Sequence, residues 1–166
     1  MRPLSRLLRP EVPLWQYCVE TGLIVAIPSV ALLYLGHALG AIGMPMPLVF
    51  VGIPSHDTSA LAVAQLVVIA PAAETVLLVL LIRLISFATA GALIVASLSG
   101  LVFGITHGLA SAVLGIGAFW AFFVFTCAYL AWRDRYFWSG CLAAFVPHAF
   151  TNLVLLLIAW ISANAA

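Results

Sequence analysis

The chain has 166 residues, of which 66% are hydrophobic and 7% are charged, and its net charge is +1. Soluble domains carry about 25% charged residues, so this composition excludes a soluble protein. The mean hydropathy of +1.26 agrees, and the small net charge argues against a nucleic-acid partner. Because one membrane crossing takes about 20 apolar residues, we expect an all-α integral membrane protein, a bundle of about five transmembrane helices.

The predicted elements begin with a basic arm over residues 1–14, and a single transmembrane helical domain covers 15–166. The first span is too long for a signal-peptide core, so we expect it to be retained. A loop rich in Gly and Pro follows over 40–58. The predicted spans, in chain order, cover residues 15–39, 59–83, 87–108, 112–132 and 137–161.

The arginines predict the orientation in the membrane. All six fall on one side of a five-span topology: Arg2, Arg6, Arg9, Arg83, Arg133 and Arg135. Because basic residues are enriched on the cytoplasmic side, we expect a multi-pass protein of a prokaryotic inner membrane with a cytoplasmic N-terminus. An aromatic belt is predicted at the same membrane face, and it consists of Trp15, Tyr17, Trp132, Tyr136 and Trp138.

Four of the polar side chains inside the predicted spans are candidates for a functional site. Glu74 is the one carboxylate of its span, His107 lies late in the third span, and His148 and Asn152 are four residues apart in the fifth. An ionised side chain at mid-membrane costs about 2.5–3.5 kcal/mol on insertion scales, so such residues usually have a function. An acid, two histidines and an amide are components of a hydrolytic site, in which a base activates water and other groups hold the oxyanion.

The same four residues are also compatible with three different roles. A protonated Glu74 would be a structural group that hydrogen-bonds between helices. His107 and His148 would be the axial haem ligands of a membrane cytochrome. The acid and the histidines would form the relay of a proton-coupled carrier.

The segments "PAAET", "FGITH" and "HAFTN" follow one another on successive membrane helices. In this order they resemble the CPBP group of intramembrane proteases, the family of CAAX prenyl endopeptidases and of bacterial Abi and bacteriocin-processing proteins. The family pattern is P-x-x-E-E-x-x-x-R, then F-x-x-x-H, then H-x-x-x-N. The resemblance covers about residues 68–155.

The resemblance implies an intramembrane endopeptidase of the glutamic or metalloprotease type, acting at the lipid bilayer on a membrane protein or a lipidated peptide substrate. Glu74 matches the glutamate that activates water. His107, His148 and Asn152 match residues described as metal ligands or as oxyanion stabilisers, and His107 and His148 would hold zinc. A catalytic zinc usually has three protein ligands, whereas Asn is a poor ligand and Glu74 is needed as the base. We therefore favour a metal-free site, with zinc as the alternative.

Two positions depart from the family pattern. Thr75 stands where the family has its second glutamate, and Val79 stands where it has arginine. Arg83 does not replace that arginine, because nine residues beyond Glu74 means about 180° around the helix and about 13 Å along it. Two interpretations are compatible with these departures. The chain is either an active, divergent protease or a catalytically silent member of the family that acts as a binding or immunity protein. We favour the active protease because Glu74 is present.

Overall fold

The computed structural model describes residues 7–8, 11–38 and 59–164. These residues form five long helices and no strand: α1 (Leu14–Ala38), α2 (Ala60–Ser86), α3 (Ala92–Gly108), α4 (Ala112–Trp132) and α5 (Phe137–Asn164). In the described part of the chain, four helices are long and apolar enough to cross a membrane, and α3 is a shorter apolar helix. The predicted all-α membrane bundle of about five helices is confirmed.

The third helix begins later than predicted. Residues 87–91 form a turn instead of helix, because the N–H groups of Phe87, Ala88 and Thr89 bond back to the last carbonyls of α2 and the Thr89 hydroxyl accepts from the N–H of Gly91. An uninterrupted apolar run in the sequence hides this turn. As a consequence, His107 lies about 22 Å from the start of α3 rather than about 30 Å.

A single π-helical turn, Gln65–Ile69, interrupts α2. The N–H of Ala70 bonds to the carbonyl of Gln65, five residues back, and Pro71 has no N–H to offer. The carbonyl of Leu66 is therefore left without a donor in its own helix. Asn152 of α5 supplies one, since its side-chain Nδ2 lies 3.0 Å from that oxygen.

The π-turn also changes which face of α2 is buried. The buried positions step by four from Ala62 to Leu66, then by five to Pro71, then by four to Thr75. One extra residue turns a helix by about 100°, so the part of α2 that follows the π-turn presents a different face than a regular helix would present.

Pro28 inside α1 leaves a second carbonyl without its helical donor. The carbonyl concerned is that of Ile24, four residues earlier, and the indole Nε1 of Trp120 in α4 donates to it at 3.1 Å. Both of these proline-freed carbonyls, in α1 and in α2, are thus bound by a side chain from a neighbouring helix. Membrane proteins tolerate helix prolines because neighbouring groups can satisfy the backbone in this way.

A stripe of glycines joins α3 and α4 into the most extensively packed helix pair of the bundle. Gly100, Gly104 and Gly108 repeat every four residues on α3 and face α4. A Cβ atom on Gly115 of α4 would lie 2.8 Å from the Gly104 oxygen and from the Gly108 Cα, closer than real atoms approach. The absence of side chains lets the two backbones meet, and this contact holds the end of α3 in place.

The predicted aromatic belt is only partly outside the bundle. Trp15, Tyr136 and Trp138 are exposed, but Tyr17 and Trp132 are buried and pack edge to face with ring centroids 5.6 Å apart. These two rings belong to the core, because α1 and α4 meet where they lie. Other predicted features lie outside the described residues: Arg2, Arg6, Arg9 and the 40–58 loop.

Candidate active site

A cavity of about 80 Å³ lies inside the bundle, and all five helices line it. A water molecule needs about 10–15 Å³ of such space, so the cavity has room for several. Its lining includes each of the residues predicted from the three motifs: Glu74, His107, His148 and Asn152. The fold therefore brings α2, α3 and α5 together at one place with room for water.

Glu74 and His148 form the central pair of the cavity. The His148 Nε2 lies 3.4 Å from the Glu74 Oε2. The histidine is almost fully buried, whereas 29% of the glutamate side chain is accessible. A neutral His148 with its proton on Nε2 would donate to the carboxylate, and the accessible part of that carboxylate would stay free to contact water.

Two phenylalanines of α4 fix the ring of His148. Phe125 stacks on it with a centroid distance of 4.8 Å, and Phe122 meets it edge-on at 5.4 Å. Phe122 also contacts the His107 ring at 5.9 Å and stacks on Phe103 of α3. This aromatic cluster holds both imidazoles against α4, so neither ring depends on a single hydrogen bond for its orientation.

His107 is oriented by its own helix. Its Nδ1 lies 2.9 Å from the carbonyl oxygen of Phe103, one turn earlier. A carbonyl can only accept, so this bond requires the proton on Nδ1 and leaves Nε2 with a lone pair in the neutral ring. Neutral His107 is therefore an acceptor or a metal ligand through Nε2, and it donates from that atom only when the ring is protonated.

Asn152 has a structural partner as well as a place in the cavity. One of its two amide hydrogens is engaged by the Leu66 carbonyl. The side-chain carbonyl and the second hydrogen take no part in that bond. Asn152 therefore fixes α5 against the π-turn of α2 and keeps one donor for a group in the cavity.

The donor set does not fit a zinc ion with three protein ligands. Such a site needs three convergent ligands and an open position, and the described residues contain no group of three His, Cys, Asp or Glu side chains placed to hold a metal. His107 has the tautomer of a metal ligand, but the Nε2 of His148 faces Glu74.

The two positions that depart from the family pattern lie on another face of α2. Thr75 and Val79 are buried and line an apolar groove of about 470 Å³ between α2 and α5. Arg83 lines the same groove and not the cavity. Glu74 and Arg83 are thus on different faces of α2, as their nine-residue separation predicts.

The residues of α4 that shape the site could not be found from the sequence. Phe122 and Phe125 lie in an aromatic run that looks like any lipid-facing helix, and nothing in their spacing indicates a histidine partner. Pro71 partly indicated the π-turn, since a proline beyond the first turn of a helix leaves one carbonyl of the preceding turn without its N–H donor. The glycine stripe was clearly indicated by the sequence, because G-x-x-x-G spacing is typical of helix contacts in membranes.

Comparisons with protein-family models, with curated proteins and with solved structures gave no match.

Proposed function

We propose that this chain is an intramembrane endopeptidase that hydrolyses a peptide bond in a membrane-associated or lipidated substrate. The observation that carries the proposal is the pair formed by Glu74 and His148, 3.4 Å apart, beside a cavity large enough for water. A carboxylate that contacts both water and a fixed imidazole has the geometry of a general base.

Glu74 would act twice in the reaction. It accepts a proton from water as the water oxygen attacks the carbonyl carbon of the substrate. It then gives that proton to the leaving nitrogen as the C–N bond breaks, which yields a carboxylic acid and an amine. His148 keeps the carboxylate in position through its Nε2, and the phenylalanines around His148 prevent the ring from turning away.

The oxyanion would be held by the remaining donors of the cavity. Asn152 offers the amide hydrogen that the Leu66 carbonyl does not use. His107 contributes a donor from Nε2 only in its protonated form, because Nδ1 is committed to the Phe103 carbonyl. A donor that points at developing negative charge typically contributes about 10²–10³ in rate, and Asn152 offers such a donor whether or not His107 is protonated.

The substrate requires more room than the cavity provides. Ligand sites usually measure about 300–1,000 Å³, compared with about 80 Å³ here. The helix pair α2 and α3 packs less extensively than the pair α2 and α5 or the pair α3 and α4, so separation of α2 from α3 costs less and leaves the Glu74–His148 pair intact. This movement would also expose Glu74, which lies on α2.

A second candidate function is that of a catalytically silent binding or immunity protein. The observation that favours it is the apolar surrounding of Thr75 and Val79, where the family pattern has a glutamate and an arginine. The haem hypothesis has less support, since both imidazoles contact the ring of Phe122 and His148 Nε2 faces Glu74. The carrier hypothesis also uses the water-accessible Glu74, and a measurement of proton flux distinguishes it from the protease.

Glu74→Gln is the decisive substitution. Gln has nearly the size of Glu and still hydrogen-bonds, but it cannot accept a proton. We expect the variant to insert and fold as the unaltered protein does, while cleavage falls at least about 100-fold, the low end for loss of a general base. The assay is incubation of the reconstituted protein with membranes from cells that lack it, followed by mass-spectrometric detection of new peptide termini.

Thr75→Ala is the matched control, because it alters the adjacent residue on the groove side of α2. We expect it to change the cleavage rate far less than Glu74→Gln. If the unaltered protein produces no new termini, or Glu74→Gln produces the same ones at the same rate, the endopeptidase proposal is wrong. Proton flux into liposomes that is lost in Glu74→Gln, without any cleavage, would instead identify the carrier.

A further inference from the structure

The proposed reaction does not use the apolar groove between α2 and α5. Its volume is about 470 Å³. Its walls are side chains that remain largely exposed, among them Val76, Leu80 and Trp138. In a membrane-spanning chain such a surface faces the lipid, and the question is which part of a lipid it fits.

The groove has the length of one membrane leaflet. Along α2 it extends from Ala72 to Arg83, which is about 16 Å at 1.5 Å per residue. Half of a hydrocarbon core of about 30 Å is nearly the same length. A single acyl chain that lies along α2 would therefore reach from the membrane surface to the level of Glu74 and end there.

The open end of the groove is positively charged. The Arg83 guanidinium lies 5.7 Å from the centroid of the Phe137 ring. In the described part of the chain no carboxylate pairs with it. Arg133 and Arg135 follow α4 at the same end of the bundle, so residues 83–136 contain three arginines and one aspartate and attract negative charge.

We propose that the groove is a binding site for an anionic phospholipid of the leaflet at the arginine end. One acyl chain fills the channel between α2 and α5, and the phosphate pairs with Arg83. Anionic headgroups are concentrated on the cytoplasmic leaflet, which is the side predicted for these arginines. The site is independent of the proposed hydrolysis, because it uses none of the residues that line the cavity.

The test compares phosphatidylglycerol with phosphatidylcholine by native mass spectrometry of the full chain, with the two lipids at equal concentration in the micelles. We expect the unaltered protein to retain phosphatidylglycerol preferentially. Arg83→Gln should lower this preference about fivefold, the effect of one basic residue at a membrane surface. Arg133→Gln is the matched control, since it removes the same charge at the same end without lining the groove, and it should change the preference less than twofold.

A second variant tests the channel itself. Ala72→Phe places a ring at the deep end of the groove and should reduce the retention of both lipids, whereas Arg83→Gln mainly affects the anionic one. Equal retention of the two lipids by the unaltered protein would overturn the proposal. The proposal would also be overturned if Arg83→Gln and Arg133→Gln lowered the preference for phosphatidylglycerol equally, because that result indicates a diffuse attraction of the anionic lipid to all the arginines. A dimer that Ala72→Phe converts to a monomer would assign the groove to a second copy of the chain instead.

Discussion

The hydrogen bond between Asn152 and the Leu66 carbonyl can be tested by restoring the backbone donor that Pro71 lacks. Asn152→Leu leaves a buried carbonyl without a partner, which costs about 1–3 kcal/mol. Interhelical side-chain bonds in membranes average about 0.6 and reach about 1.7 kcal/mol, and water in the adjacent cavity would replace part of the bond. We therefore expect a loss of about 1–2 kcal/mol in the free energy of unfolding.

Pro71→Ala should remove most of that penalty. With an N–H at residue 71, the Leu66 carbonyl gains a helical donor whether α2 keeps its π-turn or becomes a regular helix. In the Pro71→Ala background we expect Asn152→Leu to cost less than about 0.5 kcal/mol, because the lost bond then has a substitute. The coupling between the two positions should be about 1 kcal/mol.

The assay is a double-mutant cycle of unfolding in mixed micelles. Thr151→Val is the matched control, since the neighbouring Thr151 hydroxyl bonds to the Pro147 carbonyl of its own helix and should show no coupling to Pro71. Independent sites add within about 0.3–0.5 kcal/mol. If Pro71→Ala and Asn152→Leu add within that range, the role given to the Asn152 contact is refuted.

Three further predictions concern packing and topology. Gly115→Ala should destabilise the bundle by about 1–3 kcal/mol, the usual cost of overpacking, whereas Gly117→Ala should be neutral or stabilising, because its Cβ would meet only Leu32 at 3.7 Å; thermal unfolding of both variants measures the difference. Trp120→Phe should cost about 0.5–1.5 kcal/mol through the lost bond to the Ile24 carbonyl, and no loss of stability would contradict the role given to it. A reporter fused after Ala166 should be found outside the cell, as five spans with a cytoplasmic N-terminus require, and an inside signal would indicate another crossing.

The sequence was sufficient to predict a bundle of about five apolar helices. Long apolar runs leave little freedom, and the predicted span 112–132 agrees with α4 (Ala112–Trp132). Motif order also selected the four polar residues that share the cavity. Both features could be predicted because they are local in the sequence: the length of an apolar run and the polar residues that interrupt it can be counted along the chain.

Features that depend on contacts between helices could not be predicted in the same way. Whether Pro71 produces a kink or a π-turn depends on whether a neighbouring helix offers a donor, and that donor is 81 residues away at Asn152. The tautomer of His107 depends on the backbone of Phe103 being within reach. The start of α3 at Ala92 could not be read from an uncharged run, since its turn is made by backbone hydrogen bonds.

The short α3 has a consequence for the lipid around the protein. At 17 residues it measures about 25 Å, less than a hydrocarbon core of about 30 Å, and the turn that follows it exposes Leu109. A bilayer adapts to such hydrophobic mismatch by thinning locally, at a cost of fractions of a kcal/mol per Å. The membrane beside His107 should therefore be thinner than elsewhere around the bundle. Water then reaches the cavity over a shorter distance, and the proposed peptidase activity in reconstituted bilayers should rise as the acyl chains of the lipid are shortened.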